Sequence, residues 1–473
     1  MFKEFPQAAD FIKQHGIEMI DLKFTGLFGR WHHVTISDSE FTPQLMQAGV
    51  GFDASSVGLA SVKSGDKVLI PDLSTGYYVD PFYDLPTLSF ICRIMEADSG
   101  KLFQRDPRQI ARRAEELLVE SGYADYSLWG PELEFNVLRQ VSFENSAQTV
   151  AYHIDALEAG WNRCSDGHGY FISERSGYHA IPPTDQLHNL RSKMVATLKQ
   201  MGIPVKYHHH EVGALGQCEI ETPMLGLLQA ADASMTIKYV SRNVACREGQ
   251  TVTFLPKPIF GEAGNGMHFH QHLFKGGINL FYDAQAPHLL SQTALQYIGG
   301  LLTHAPALLA FTNPSTNSYR RLVPGFEAPV KCIFSSGNRS AAIRIPRYAN
   351  QPDTVRMEFR PPDATCNPYL AMAAMLLAGM DGIRQQIDPT QAGFGPVNED
   401  IFEWDAARQA QLKSLPQSLL EAVQALQDDH AFLTESGVFD EELINDWCAA
   451  KRAEHHLVQV RPHPYEIQMY YDL

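Results

Sequence analysis

Two glutamates at strand spacing are the first residues in this sequence that could do chemistry. Glu132 and Glu134 lie in the stretch Gly-Pro-Glu-Leu-Glu-Phe. In a β-strand both would point to one face, whereas Leu133 and Phe135 would point to the core. A half-exposed sheet with a solvated glutamate face would give the same pattern, so this stretch alone leaves both interpretations open.

A second pair of glutamates follows three consecutive histidines. Glu211 and Glu219 bracket a glycine-containing turn, and two short extended arms would bring both carboxylates to one face. Four inward-facing carboxylates repel one another strongly in a low-dielectric interior. A divalent cation between them would keep them ionised.

Two further stretches alternate polar and apolar residues and weaken the solvated-face interpretation. Residues 266–272 contribute His268, and residues 356–360 contribute Glu358. Carboxylate oxygens with one imidazole suit Mg²⁺ or Mn²⁺, whereas zinc prefers cysteine and histidine. The sequence therefore predicts a site for hard divalent cations.

Arginine dominates the cationic residues from 321 to 360, where the only lysine is Lys331. The arginines are Arg321, Arg339, Arg344, Arg347, Arg356 and Arg360. Arginine is favoured where a planar fork of donors must meet phosphate or carboxylate. Together with the cations, this set indicates phosphoryl transfer from a nucleotide. The sequence has no Gly-x-x-x-x-Gly-Lys-Ser/Thr loop, so the nucleotide must bind to another scaffold.

The elements that position these residues divide the chain near residues 100–107. Before that boundary the pattern predicts a small α+β unit, with a helix over 8–15 and strands over 18–25, 31–36, 68–72 and 88–94. Asp106 and Pro107 mark the start of a helix that ends near Glu120. Later helices are predicted over 185–201 and 230–246, a loop-rich region over 139–183, and a helical tail over 395–473.

Composition excludes several function classes. The net charge is −16 without any basic run, which argues against nucleic-acid or anionic-membrane binding. Seven scattered cysteines without CxxC spacing, and an N-terminus without a signal-peptide core, favour a cytoplasmic protein. The most apolar run, residues 369–380, is too short to span a bilayer and predicts a buried helix.

Several separated motifs resemble the type I glutamine synthetase family, from about residue 16 to Tyr471. They are Phe-Asp-Ala-Ser-Ser at 52–56, the glutamate stretch at 130–135, His-His-His-Glu at 208–211, Pro-Lys-Pro at 256–258, Gly-Met-His at 266–268, the loop at 313–327, Asn-Arg-Ser at 338–340, Arg-Ile-Pro at 344–346 and Glu-Phe-Arg at 358–360. The resemblance implies an α+β fold: an N-terminal β-grasp domain over 16–101, then a catalytic domain of antiparallel strands backed by helices over 107–473. It also implies a dodecamer of two stacked hexameric rings with active sites shared between subunits.

The same resemblance implies that ATP drives the ligation of ammonium to L-glutamate through an acyl phosphate. One Mg²⁺ or Mn²⁺ ion would be held by Glu134, Glu211 and Glu219, and the other by Glu132, His268 and Glu358. ATP would contact His270, His272, Arg344 and Arg356. Glutamate would contact Arg321 and Gly264, and Arg339 and Arg360 would stabilise the phosphoryl group. Asp53 and Ser56 of a neighbouring subunit, with Tyr178 and Glu211, would form the ammonium pocket, and Glu327 would lie on a closing flap.

Some positions depart from the family pattern, although the predicted metal ligands and arginines are intact. Ala60, Lys206, Ala263 and His272 stand where the family commonly has tryptophan, an acid, asparagine and serine. Phe402 stands where many bacterial members have a tyrosine that receives AMP, so the resemblance predicts no such modification here.

Two other functions remain compatible with parts of the sequence. A γ-glutamyl ligase could use a larger amine in place of ammonia, and a catalytically silent assembly protein could bind the same metabolites. The small anionic pocket implied for Asp53, Ser56, Tyr178 and Glu327 favours ammonia. Taken alone, the Asp53 loop also fits ordinary turn chemistry, in which Asp and Ser bond to nearby backbone.

Overall fold

The amino-terminal part folds around a mixed sheet with strand order β2-β1-β5-β4-β3. The structure is a computed structural model that describes residues 2–76, 79–163, 169–326 and 328–473. The elements are α1 Phe5–Gln14, β1 Met19–Thr25, β2 Trp31–Ser37, α2 Leu45–Ala48, β3 Val50–Asp53, β4 Asp66–Pro71 and β5 Thr87–Glu96. β1 pairs parallel with β5, and the other neighbours pair antiparallel.

β1 is buried on both faces, although its sequence alternates polar and apolar residues. Ile20 and Leu22 enter the apolar core. On the other face Lys23 lies between two carboxylates, 3.0 Å from Asp21 and 2.9 Å from Asp80. Buried charges need such partners. Tyr239, from the carboxy-terminal part, donates a hydrogen bond to Asp80 and ties the two parts together.

The carboxy-terminal part begins with the helix predicted at Asp106. Its helices are α3 Pro107–Glu120, α4 His188–Gln200, α5 Leu227–Arg247, α6 Gln292–Thr312, α7 Ser318–Arg321, α8 Pro368–Arg384, α9 Ala406–Ala410, α10 Leu419–Asp428, α11 Ala431–Thr434, α12 Glu441–Gln459 and α13 Pro464–Tyr470. Asp106 caps α3 by accepting a hydrogen bond from Arg108 N, as the Asp-Pro signal predicts.

A second, mostly antiparallel sheet runs through this part in the order β15-β16-β17-β13-β6-β10-β9. Its strands are β6 Tyr126–Leu138, β9 Tyr207–His210, β10 Gln217–Glu221, β11 Leu225–Gly226, β12 Thr251–Thr253, β13 Met267–Lys275, β14 Ile278–Asn279, β15 Lys331–Ser335, β16 Ala341–Arg344 and β17 Met357–Phe359, and a separate hairpin pairs β7 Gln140–Asn145 with β8 Val150–Asp155. β15 and β16 are parallel. α5 and α8 pack together with α3 and α6 in the apolar core behind the sheet.

The structure corrects two sequence predictions. The region 139–183 is not simply loop-rich, because it contains the β7–β8 hairpin, whose first strand is exposed along its whole length. The helix predicted from residue 185 begins at His188. Asp185 instead accepts from Leu187 N and binds Arg191, which fixes a turn before the helix.

The apolar run over 369–380 lies in α8 and is buried, as predicted. Among the described helices, α6 is long and apolar enough to be compared with a membrane span, and 78% of its most apolar window is buried inside the protein. α6 and α8 meet closely, since a Cβ at Gly300 would lie 2.1 Å from the carbonyl oxygen of Ala378.

Candidate active site

The residues of the predicted cation site lie on neighbouring strands of the second sheet. On β6, Glu132 and Glu134 alternate with Leu133, which is fully buried in the core. The register pairs Glu132 with His268 of β13 and Glu134 with Glu219 of β10. Directly paired side chains are neighbours on one face of a sheet, so these residues lie together in two successive rows on that face. We call the face that carries Glu132, Glu134, Glu219, His268 and Glu358 the carboxylate face.

Glu132, His268 and Glu358 form one group of potential metal ligands, with ligand atoms within 4.8 Å of one another. His268 Nδ1 lies 3.1 Å from Glu132 Oε2 and 3.7 Å from Glu358 Oε1. All three side chains are buried. A set of two carboxylates and one imidazole fits the predicted preference for a hard cation.

His209, Glu211 and Glu219 form a second group within the same 4.8 Å limit. His209 Nε2 lies 3.2 Å from Glu219 Oε1. Glu134, which the resemblance assigns to this group, accepts a hydrogen bond from Gly266 N at 2.6 Å and borders the same cavity as Glu211. In this structure His209 therefore completes the compact group, and Glu134 lies beside it.

Glu219 provides an electrostatic test of whether these residues fit a cation. Burial and the neighbouring carboxylates, chiefly Glu132 and Glu211, raise the pKa of Glu219 well above its usual range. A divalent cation would offset that repulsion and keep the carboxylate ionised. The donor set therefore fits divalent cations, and its oxygen-rich chemistry fits Mg²⁺ or Mn²⁺.

Glu132 and Glu358 behave in the opposite way because imidazole and guanidinium groups surround them. Burial opposes ionisation of Glu132, but the neighbouring imidazoles, first of all His270, bring its pKa well below the usual range. Burial opposes ionisation of Glu358 as well, and Arg360 lowers its pKa. Arg344 Nη1 lies 2.5 Å from Glu358 Oε2, and Arg360 binds the other oxygen.

Sequence reasoning missed two residues of this neighbourhood, His209 and Glu221. Glu221 ends β10 and pairs with Glu132, and together with His270 these residues form a further compact group. Glu221 Oε2 is buried without a hydrogen-bond partner among the described residues. The period-two alternation used for β6 would have found both residues, since each stands two positions from a predicted ligand.

Lys206 and His272, two departures from the family pattern, both contact residues on or beside the second sheet. Lys206 Nζ donates to Glu221 Oε1 at 2.7 Å and lies 4.7 Å from the centre of the Tyr207 ring. His272 is buried with Nδ1 3.3 Å from the carbonyl oxygen of Val355, and burial lowers its pKa to about 4. His272 is therefore a neutral side chain near pH 7.

A cavity of about 290 Å³ opens beside the two ligand groups. Its walls include Glu134, Glu211, Ala263, Gly264, His268, Arg321 and Arg360. A Cβ at Gly264 would lie 2.5 Å from the carbonyl oxygen of Pro256 and 2.8 Å from Arg321 Cγ, so this wall requires glycine. The cavity thus presents guanidinium groups for a carboxylate and glutamates for a cation.

Arg339, Arg356 and Tyr178 are further predicted site residues. The Arg339 guanidinium lies 6.0 Å from the centre of the Tyr178 ring, and Arg360 Nε donates to the carbonyl oxygen of Arg339 at 3.0 Å. Arg356 Nε is buried without a hydrogen-bond partner among the described residues. An unpaired buried cationic donor is a suitable place for an anionic ligand.

Asp53 and Ser56 do not join this cluster within the described part of the chain. Both are exposed, at the end of β3 and in the loop that follows. The Asp53 carboxylate accepts two hydrogen bonds, one from Ser56 Oγ at 2.6 Å and one from Ser55 N at 2.9 Å. These hydrogen bonds lower the pKa of Asp53. This geometry matches the turn chemistry that the loop alone suggests. Glu327, the predicted flap residue, lies outside the described residues.

Two family models match the two parts of this chain, the small mixed sheet and the larger sheet that carries the carboxylates. The family model "Glutamine synthetase, catalytic domain" matches residues 104–470, and "Glutamine synthetase, beta-Grasp domain" matches residues 16–97. A glutamine synthetase of Nostoc sp. is 45% identical over 470 residues, covering 98% of each chain. The chain belongs to the glutamine synthetase family.

Other members of the glutamine synthetase family are also similar to this chain over nearly its full length. A glutamine synthetase of Streptomyces coelicolor is 44% identical over 477 residues, covering 100% of both chains. The solved structure of Plasmodium falciparum glutamine synthetase matches with a TM-score of 0.89, 28% identity and 99% coverage of both chains. A structure described as a GmaS/ADP complex matches with a TM-score of 0.81 and 26% identity, covering 98% of this chain and 99% of that one.

These findings confirm the predicted family and fold class, a β-grasp domain followed by the glutamine synthetase catalytic domain. The predicted domain limits, 16–101 and 107–473, stay predictions, as do the roles of the individual site residues. Divalent metals and ATP are general requirements of enzymes in this family.

Proposed function

We propose that this protein catalyses the ATP-dependent ligation of ammonia to the γ-carboxylate of L-glutamate, giving L-glutamine, ADP and phosphate. The observation that carries the proposal is the cavity in which buried carboxylate groups lie beside Arg321 and Arg360. Full-length relatives named glutamine synthetase support the same reaction.

We assign two divalent cations, Mg²⁺ or Mn²⁺, to the carboxylate face. Glu134, Glu211 and Glu219 would hold one, with His209 nearby, and Glu132, His268 and Glu358 would hold the other. When bound, such ions neutralise phosphate oxygens during transfer. The protein's contribution is to hold the ligands in a buried, oxygen-rich arrangement before substrates arrive.

The first chemical step makes the glutamate side chain reactive. A γ-carboxylate oxygen attacks the terminal phosphorus of ATP, the bond to ADP breaks, and γ-glutamyl phosphate forms. Arg321 and Gly264 bind the glutamate, while Arg339 and Arg360 stabilise the charge on the phosphoryl group. His270, His272, Arg344 and Arg356 bind ATP. Each guanidinium has five N–H donors, so the bonds from Arg344 and Arg360 to Glu358 leave donors for phosphate.

The second step uses ammonium, which the proposed pocket of Asp53, Ser56, Tyr178 and Glu211 would hold. Ammonium loses one proton to Asp53, its nitrogen attacks the acyl carbon, and the bond from that carbon to the phosphate oxygen breaks; the nitrogen's surplus proton leaves with the phosphate as HPO₄²⁻. The lowered pKa of Asp53 keeps its carboxylate ionised at neutral pH. A flap bearing Glu327 would exclude water and so protect the acyl phosphate from hydrolysis.

This assignment requires a homo-oligomer, because Asp53 and Ser56 serve the site of a neighbouring subunit. We propose a dodecamer of two stacked hexameric rings, located in the cytoplasm. The exposed position of both residues on their own chain supports a shared site.

The test is product formation by purified full-length protein with glutamate, ATP and Mg²⁺. Ammonium, hydroxylamine, methylamine and ethylamine are compared as nucleophiles, and both the amide product and phosphate are quantified. We expect one glutamine per phosphate and the highest kcat/KM with ammonium, and Glu219→Ala should abolish both products. A higher kcat/KM with an alkylamine would indicate a γ-glutamyl ligase for larger amines. No turnover with any nucleophile would indicate a silent regulatory protein.

A further inference from the structure

Glu158 is a fully buried carboxylate that belongs to none of the ligand groups. It lies in the segment that follows the β7–β8 hairpin, next to the apolar cluster of Leu138, Ala156, Ala159 and Leu215. Its Oε1 accepts a hydrogen bond from Gln186 N at 2.7 Å, and its Oε2 lies 2.8 Å from His210 Nε2. A buried charge in such surroundings is costly unless it is paired.

His210 connects Glu158 to the candidate active site. It is fully buried at the end of β9, and its Nδ1 lies 2.6 Å from the carbonyl oxygen of Glu211. Both ring nitrogens therefore face oxygen acceptors. These two contacts hold the imidazole ring between the Glu158 carboxylate and the Glu211 backbone.

The backbone that His210 holds also carries the loop of Tyr178. Gly177 N donates to the carbonyl oxygen of Val212 at 3.0 Å, and His179 N donates to that of His210 at 3.1 Å. Tyr178 thus lies between two hydrogen bonds to the 210–212 segment. A shift of His210 would move the Glu211 carboxylate and the Tyr178 ring together.

Gly177 is packed tightly against the same two groups. A Cβ at this position would lie 2.4 Å from the carbonyl oxygen of Glu211 and 2.6 Å from His210 Cε1. These are distances that real Cβ contacts essentially never show, so any side chain at Gly177 would displace the Glu211 backbone or the His210 ring. The positions of Glu158, His210, Gly177 and Glu211 are therefore mutually dependent.

We infer that Glu158, acting through His210, is a positioning residue that fixes Glu211 for cation binding and Tyr178 for the ammonium pocket. This inference rests on the proposed function, which gives Glu211 and Tyr178 those roles. When a residue that hydrogen-bonds to a metal ligand and orients it is replaced, metal affinity commonly falls about 10-fold to 100-fold.

The test is a titration of the assembled full-length protein with Mn²⁺ alone, combined with steady-state kinetics. Glu219→Gln identifies the class of Mn²⁺ site that contains Glu211, and Glu358→Gln identifies the other class. Glu158→Gln preserves shape and the acceptor for Gln186 N while it removes the charge. We expect it to weaken the Glu219 class about 10-fold and leave the Glu358 class unchanged. We also expect the KM for ammonium to rise severalfold and the KM for ATP to stay within about twofold.

His304→Gln is the matched control. His304 is also a buried histidine between two oxygen acceptors, 3.0 Å from Asp381 and 2.8 Å from Asp429, but it lies on α6 away from the carboxylate face. We expect this variant to lower thermal stability and to leave both Mn²⁺ classes and both KM values unchanged. A merely structural role for Glu158 would give the same result as His304→Gln.

Gly177→Ala provides an independent variant if Glu158→Gln does not fold, because it pushes on the same atoms without removing a charge. It should reproduce the selective loss of the Glu219 class. The inference is overturned if folded Glu158→Gln or Gly177→Ala keeps the wild-type Mn²⁺ isotherm and ammonium KM, or weakens both classes equally. If the wild-type protein binds no Mn²⁺ and forms no glutamine, the proposed function fails and the inference falls with it.

Discussion

The carboxylate face and the Asp53 loop are assigned to one reaction, yet they are built in opposite ways. Glu219 and Glu358 are buried on two strands of one sheet, β10 and β17, and burial is the largest influence on the pKa of each. Asp53 is exposed, and hydrogen bonds from Ser56 and Ser55 set its pKa. The face is assembled by one chain and needs cations to offset its charge. The loop is complete as a turn, and under the proposed function it acts only at the site of a neighbouring subunit.

The largest effect should follow from removing a carboxylate on the face. We expect Glu134→Ala and Glu219→Ala to reduce activity at least about 1,000-fold, because a cation that loses one ligand in a buried site is under-coordinated. Glutamine formation with Mg²⁺ and with Mn²⁺ is the measurement. Glu144→Ala, on the exposed strand β7, is the matched control and should be fully active. Full activity of either face variant in chelator-treated buffer would refute the cation assignment.

The loop should respond differently, because its partner is proposed to be another subunit. Asp53→Ala and Arg339→Ala should each be nearly inactive in homogeneous assemblies. Random mixing of the two should restore activity to about one quarter of the sites, since each shared site draws one part from each neighbour. Subunit exchange is verified first by native mass spectrometry. Mixed assemblies that stay inactive would count against a shared site.

The sequence predicts an element well when the residues that define the element are close together along the chain. The α3 helix was predicted to its first residue, since Asp106 caps it directly, and the alternation at Glu132 and Glu134 located β6. The β7–β8 hairpin escaped prediction although Val141 and Phe143 on β7, and Tyr152 and Ile154 on β8, alternate with other residues at period two; that signal was overlooked in a region predicted to be loop-rich. The proposed role of Asp53 at a neighbouring subunit's site would depend on contacts between chains, and no local sequence pattern encodes such contacts.

His304 and its two aspartate partners lie outside both regions and should affect stability alone. Burial opposes protonation of His304, but hydrogen bonds with Asp381 and Asp429 outweigh it and raise the pKa of His304. This stabilisation is fully present below the unfolded pKa of about 6.5 and is lost as pH rises through the higher folded value. We expect His304→Gln to cost about 1 kcal/mol at pH 6 and less at pH 9. Denaturant unfolding of the wild-type protein and the variant at pH 6 and pH 9 measures this free-energy difference. A cost that grows with pH would contradict the raised pKa of His304.

The smallest expected effect is none at all. Phe402 lies in a 3₁₀ turn over Ile401–Glu403, packed against a small cluster that includes Ile333 and Ala341. It has no hydroxyl that could accept AMP. Intact-mass measurement after incubation with an active adenylyltransferase and ATP should show an unmodified chain, and Phe402→Tyr is the informative companion variant. Stoichiometric AMP on the 396–405 peptide of the wild-type chain would overturn this prediction.

The most direct test of the account follows an oxygen atom through the reaction. L-glutamate labelled with ¹⁸O in the γ-carboxylate is incubated with the full-length protein, ATP, Mg²⁺ and ammonium, and the released phosphate is analysed by mass spectrometry. Attack of the carboxylate on ATP predicts one ¹⁸O atom in each phosphate released with each glutamine. Glutamine formed together with unlabelled phosphate would contradict activation through γ-glutamyl phosphate, and with it the role given to the carboxylate face.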